Sequence, residues 1–371
     1  MKYKLQRAGL FVEPQSPQTP RDGFMIESVR IENFRGFEST QVDDLGQVNI
    51  LVGDNRVGKT AFLEALFLVA GNTFENHLKE LLWRGMLHQH AQLALSGAAI
   101  RSGEFWRDLF FRFDQERTIT IAVRGRPSRS LSIHREEPPE VSVLPGPADA
   151  TSVEAPLIFT WRDDRGNTYP SRPRFTVEKG LVAAKSPPGI DGAMIPDIPV
   201  VADEAAGRFS RLDIQGKAQP IVEDIRRQFQ EIEGLSTQPN PPAGSMLYVT
   251  IHGMPEKFPL AMFSAGINRW IYILCTIESY PGGAVFVDEV EKGVYHNRLP
   301  GFWRSIVDSS IRSRTQVFAT THSLECLTAA LPCIESDPDS FRLLRLRHGG
   351  KIERLQSRHI IAALKEGFEV R

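Results

Sequence analysis

The segment Gly53-Asp54-Asn55-Arg56-Val57-Gly58-Lys59-Thr60 constrains this chain most, because its glycine and lysine spacing suits the wrapping of backbone around phosphate. The glycines let successive N–H groups turn inward, Lys59 reaches the β and γ oxygens, and Thr60 offers a hydroxyl to magnesium. Such a loop belongs between a strand and a helix. Asn49 to Val52 reads as a short buried strand, and Ala61 to Ala70 repeats apolar residues at helical spacing up to Gly71. The helix start adds free N–H groups and partial positive charge, so the run from Gly53 through Ala61 is expected to hold the phosphates.

Two later segments supply the rest of the chemistry. Ala284 to Val287 reads as a buried strand that delivers Asp288 and Glu289 to its carboxyl end, where ligands gather in open parallel sheets. Asp288 is expected to hold magnesium, directly or through water, and Glu289 to orient or deprotonate the attacking water. A second strand, Gln316 to Ala319, leads into Thr320, Thr321 and His322. His322 can donate toward a γ-phosphate oxygen or position the water. Upstream, Phe263-Ser264-Ala265-Gly266-Ile267-Asn268-Arg269 precedes the largely apolar stretch Trp270 to Ile277. Ser264 and Gly266 at a helix start can present a hydroxyl and bare N–H groups to an anion, or simply cap the helix. ATP and Mg2+ are the cofactors these segments call for.

With these motifs the chain resembles ABC-type AAA family ATPases of the RecF, OLD and SMC-like group. Met25 to Phe37, with its Asn33-Phe34-Arg35-Gly36-Phe37 turn, looks like the opening strand of that group. Glu291, Gly293 and His296, the stretch from Gln316 to Cys326, and the closing Phe368 to Arg371 are similar to it as well. The resemblance covers about residues 25–125 and 205–371. It implies an α/β P-loop fold, an ABC-type two-lobe ATPase with a loop-rich, partly β insertion. It also implies that Arg35 lies close to the nucleotide, although a solvated turn arginine is an equal reading. Ser264 and Gly266 would belong to the signature motif that closes on the ATP of a partner subunit, with Ser264-Ala265-Gly266 in place of the usual S-G-G.

The resemblance further implies a homodimer or higher oligomer formed on ATP binding, in DNA maintenance or phage defence, with a separately encoded effector such as a nuclease or toxin. No obvious D-loop aspartate follows Asp288-Glu289. The glutamine that links magnesium to the second lobe has no clear place; Gln89 and Gln92 lie in a plausible stretch, but a solvated loop is the readier account of them. Fewer than about 50 residues follow His322, well below a typical domain, so a fused TOPRIM nuclease is not expected. A nucleotide-binding scaffold with little turnover and a transporter ATPase subunit remain as other classes.

Size and composition bound the remainder. A chain of 371 residues, 41% hydrophobic and 24% charged, is ordinary for a soluble globular protein. Its formal net charge of −1 does not suit a dedicated nucleic-acid binder, so DNA contact requires a local patch. One candidate is Arg101, Arg107, Arg112, Arg117, Arg124, Arg126, Arg129 and Arg135, interleaved with Phe105, Trp106, Phe110, Phe111 and Phe113. Alternation around Phe111 and Phe113, and again through Ile119, Ile121 and Val123, reads instead as strands with one wet face. No apolar run reaches the roughly 18 residues of a membrane helix, and Cys275, Cys326 and Cys333 lack zinc spacing, which points to a cytoplasmic location with reduced thiols.

The expected organisation is a loose leader over 1–24, with Met25 as an alternative start, then an ATPase lobe over 25–125. A Pro-rich β and loop insertion over 126–204 follows, because about half of the prolines fall there. The rest of the ATPase spans 205–371. Helical spacing returns at Ile221, Ile225, Phe229 and Ile232, and the tail reads as strand, Gly-Gly turn, strand and short helix. No heptad pattern and no internal repeat are visible.

Overall fold

A computed structural model describes residues 25–71, 106–136, 153–176, 180–182, 190–197, 202–239 and 244–365. The expected leader, Gln89, Gln92, Arg101, Phe105 and Phe368 to Arg371 lie outside the described residues. In chain order the first strands are β1 (Met25–Phe34), β2 (Phe37–Asp43), β3 (Val48–Val52), β4 (Ile119–Arg126), β5 (Arg129–Arg135) and β6 (Val153–Glu154). Next come β7 (Leu157–Arg162), β8 (Thr168–Ser171), β9 (Arg174–Thr176), β10 (Gly180–Val182), β11 (Gly192–Ile195) and β12 (Ile232–Pro239). The last are β13 (Ser245–Ile251), β14 (Phe258–Pro259), β15 (Ala284–Val287), β16 (Gln316–Thr320), β17 (Phe341–Arg347) and β18 (Lys351–Leu355). The helices are α1 (Lys59–Ala70), α2 (Ala202–Ile214), α3 (Gln219–Gln228), α4 (Leu260–Phe263) and α5 (Ala265–Ser279). They continue with α6 (Leu299–Ser313), α7 (Leu324–Ala329), α8 (Leu331–Ser336) and α9 (Ser357–Lys365).

The central sheet has the order β11-β15-β16-β3-β17-β18 and is parallel except for the β17–β18 hairpin. Its middle strands are buried at every position, so they read as unbroken apolar runs rather than alternating ones. Alternate side chains feed two separate cores. Ile50, Val285, Val287 and Val317 face a core shared with α2, α5 and α6, whereas Leu51, Phe286 and Phe318 face one built around α1. An antiparallel sheet of order β2-β1-β4-β5-β7-β8 closes that second core. Helix α1 therefore lies between two sheets and is buried almost all round.

Buried polar groups join the layers. Gln316 is fully buried, accepts from Ile26 N at 2.9 Å and donates to Ile26 O at 2.9 Å and Gly46 O at 2.7 Å. It thereby pins β1 to the start of β16, and each of its polar atoms has a partner, as burial demands.

Several expectations change at this level. The Phe111–Phe113 segment is a short 3-10 turn, not a strand, with Arg112 at φ 51° and Phe113 at φ 63°. The alternation resumes correctly in β4, where Ile119, Ile121 and Val123 are buried. Helix α3 stops at Gln228, and Ile232 opens β12 instead of continuing the helical face. Beyond residue 126, β5, β7 and β8 extend the antiparallel sheet, β6, β9 and β10 form a separate three-stranded sheet, and β11 joins the central sheet beside β15. Of the candidate basic patch, Arg117 pairs with Asp114 at 3.0 Å, Arg124 pairs with Asp43 at 3.0 Å, and Arg129 is buried. Among the described residues, no helix is long and apolar enough to cross a membrane.

Candidate nucleotide site

Because β3, β15, β16 and β11 run parallel, their carboxyl ends open on one edge of the sheet. Val52 leads into Gly53 and Asp54, then Asn55 and Arg56 on the exposed tip, Val57 underneath, and Gly58 before α1. Gly53 has φ 140°, and an added Cβ would stand 2.3 Å from Leu346 O, so β17 presses the loop where only glycine fits. Gly58, at φ 103°, turns the chain into α1 and places Lys59, Thr60 and Ala61 in its first turn.

Lys59 Nζ donates to Gly53 O at 2.6 Å and Asp54 O at 2.8 Å, and lies 3.1 Å from His322 Nδ1. Burial pulls its pKa below the usual lysine value, opposed by Asp288, Asp54, Glu289 and Glu291. Thr60 Oγ1 donates to Asp288, 2.9 Å from Oδ2 and 3.1 Å from Oδ1, and Thr320 Oγ1 donates to Oδ1 at 2.7 Å. A hydroxyl and a carboxylate held together in this way are the oxygen donors that a hard divalent cation prefers.

Glu289 adopts φ 47°, a left-handed conformation uncommon for its type, with its N–H donating to Thr320 Oγ1 at 2.8 Å. Its Oε1 is 3.6 Å from His322 Nε2. The imidazole thus stands between Lys59 and Glu289. Burial raises the Glu289 pKa, and the neighbouring Asp197 carboxyl raises it further. His322 is itself held by Glu291, whose Oε1 accepts from His322 N at 3.2 Å and from Thr321 Oγ1 at 2.7 Å.

The structure therefore brings Lys59, Thr60, Asp288, Glu289 and His322 together. Ser264 and Gly266 lie elsewhere in the fold, at the start of α5 beside the turn that follows Glu289. Ser264 caps α5, its hydroxyl accepting from Ile267 N at 3.4 Å. Gly266 packs on the turn after Glu289, where a Cβ would meet Gly293 O at 2.0 Å. Arg35 pairs with the buried Glu64 of α1 at 3.0 Å and is partly exposed.

Two neighbours escaped sequence reasoning. Asp197 follows β11 and ion-pairs with Lys292, and Arg269 donates to the carbonyls of Asp288 and Glu289. Asp197 sits at no motif spacing, and Arg269 closes the Phe263–Arg269 segment without a role read for it. Their only signal is a charge next to a strand end or a helix start, which surface residues share.

The chain is similar to several known proteins. Residues 25–134 match the family model of an AAA ATPase domain. A Helicobacter pylori protein named ATP/GTP phosphatase is 22% identical over 328 residues, covering 81% of this chain and 86% of that protein. The DNA replication and repair protein RecF of Shewanella woodyi is 30% identical over 121 residues, 32% of each chain. Among solved structures, the SMC head domain from Thermotoga maritima covers 89% of this chain and 98% of its own, at 13% identity and a TM-score of 0.38.

Proposed function

We propose that the chain is an ATPase of the RecF/SMC-like ABC type and that two copies associate head to tail around ATP. Each nucleotide then lies between Lys59 of one subunit and Ser264 of the other, so ATP holds the interface and hydrolysis releases it. The observation that carries this reading is the division of the motifs: Lys59, Thr60, Asp288, Glu289 and His322 converge on one sheet edge, while Ser264 begins a different helix, α5. A two-fold arrangement makes both sites equivalent.

Within a site, the Gly53–Ala61 backbone and Lys59 bind the β and γ phosphates, and Thr60 and Asp288 hold Mg2+, which shields phosphate charge as it develops. Glu289 orients or deprotonates the attacking water, and His322 directs its Nε2 side toward that water and the γ-phosphate. Glu291 fixes His322. Arg35, tied to Glu64, flanks the loop and supports the nucleotide from the side of the opening strand. The similarity to RecF, a DNA replication and repair protein, supports a role in DNA maintenance; phage defence with a separately encoded effector is the other setting of this reading.

Glu289→Gln keeps size and hydrogen bonding but removes the carboxylate. ATP binding should persist while hydrolysis falls by a factor on the order of 100 or more. The variant should then accumulate as the closed dimer, read as an ATP-dependent doubling of mass by light scattering. A mass unaffected by ATP in this variant would mean that each subunit works alone.

A further inference from the structure

Arg269 lies in the second turn of α5 and is 4% exposed. Burial lowers its pKa, while Asp197, Asp288, Glu289 and Glu291 oppose that fall. Its guanidinium nevertheless donates to main-chain carbonyls: Asp288 O at 2.6 Å, Glu289 O at 3.1 Å and Pro196 O at 3.2 Å. Burying a guanidinium is costly, and an apolar side chain would serve helix packing better. The three carbonyls belong to the exits of two adjacent strands, β11 and β15. Glu289 meanwhile holds a left-handed backbone at φ 47°, which in a non-glycine residue persists only where its surroundings impose it. Thr320 Oγ1 fixes its N–H side at 2.8 Å, and Arg269 fixes its carbonyl side.

We propose that Arg269 is a positioning residue for ATP hydrolysis: from α5 it grips the carbonyls of Asp288 and Glu289 and aims the Glu289 carboxylate at the attacking water. The inference rests on the role assigned to Glu289 above. It extends that role in one direction, because α5 is also the helix that begins at Ser264. At its start, Gly266 lies against Gly293 so closely that a Cβ would stand 2.0 Å from the Gly293 carbonyl oxygen. The helix that reaches the neighbour's nucleotide and the turn that carries Glu289 are thus joined at two points within one subunit. A shift of α5 on dimer closure moves Glu289 of the same subunit.

The test uses Arg269→Met and Arg269→Lys in the full chain, with steady-state ATP hydrolysis, affinity for a fluorescent ATP analogue and melting temperature. For Arg269→Met, kcat should fall about 10- to 100-fold, the cost of a misplaced group, with the analogue's Kd changed by less than about twofold. Arg269→Lys keeps the charge without the planar fork and should fall between the two. In Glu289→Gln the Arg269→Met change should add no further loss, since the group being aimed is already gone. A folded Arg269→Met with kcat within about threefold of the parent, or a fully multiplicative loss in the double variant, would overturn the inference. If Arg269→Met does not fold, Arg269→Lys decides on the same criteria. Full turnover by Glu289→Gln would instead strike the Glu289 assignment, whereas full turnover by Arg269→Met beside an inactive Glu289→Gln strikes only Arg269.

Discussion

Lys59 donates to two carbonyls of its own loop and lies 3.1 Å from His322 Nδ1, so its ammonium is preorganised at the proposed phosphate site. Lys59→Ala removes that charge but leaves the apolar body of α1 intact. Turnover should be abolished and circular-dichroism melting should remain cooperative; a folded Lys59→Ala protein with unchanged ATPase activity would sink the phosphate-loop assignment. Gly266→Ala should act differently. Its Cβ would collide with Gly293 O, a backbone atom that cannot swing aside, so both the melting temperature and hydrolysis should fall. At this scale the sequence was readable where function needs contiguous residues, as in Gly53 to Thr60 or Asp288-Glu289. It was silent where partners meet only through folding: Asp197 and Arg269 are 72 residues apart and converge because β11 lies beside β15 and α5 packs over both.

Elements were legible in proportion to their length and burial. The strands β3, β15 and β16 announce themselves as apolar runs, and the β17–β18 hairpin by the glycines at its turn. By contrast β11 has only four residues, too few for any period, and is set by pairing with β15 rather than by propensity. The Phe111–Phe113 turn misleads because left-handed backbone at Arg112 and Phe113 breaks an alternation that the letters alone suggest. The identity of α5 as a core helix has a measurable consequence. Trp270 is 1% exposed and packs edge-on against Phe229 and Phe302, with ring centroids 5.4 and 5.0 Å away. Trp270→Ala should cost about 3–5 kcal/mol in urea unfolding, the range for a large buried aromatic. Burial also pushes the Cys275 thiol on α5 up to about 12 and raises those of Cys326 and Cys333. All three should resist alkylation in the folded protein at neutral pH and react promptly in denaturant, as mass spectrometry would show.

At the scale of the whole molecule, the question is whether hydrolysis belongs to a subunit or to a pair. The groups proposed for hydrolysis gather at the carboxyl edge of the central sheet, whereas Ser264 begins α5 on the layer beyond it, tied to the Glu289 turn through Arg269 and Gly293. Ser264→Arg would put a bulky cation at the surface proposed to meet the neighbour while leaving Lys59 untouched. Alone, Lys59→Ala and Ser264→Arg should each be nearly inactive, for opposite halves of the site. In a head-to-tail pair formed from one of each, a single site collects both lesions and the other is intact. Mixing the two inactive proteins at equal concentration should therefore restore ATP hydrolysis, up to about a quarter of the parent rate if subunits pair at random and the sites act independently. Stopped turnover that stays absent after mixing, with heterodimers verified by native mass spectrometry, would mean that the two halves do not share a nucleotide. Ser264→Arg protein that hydrolyses ATP at the parent rate would place the entire reaction within one subunit and reduce α5 to a structural support for Glu289.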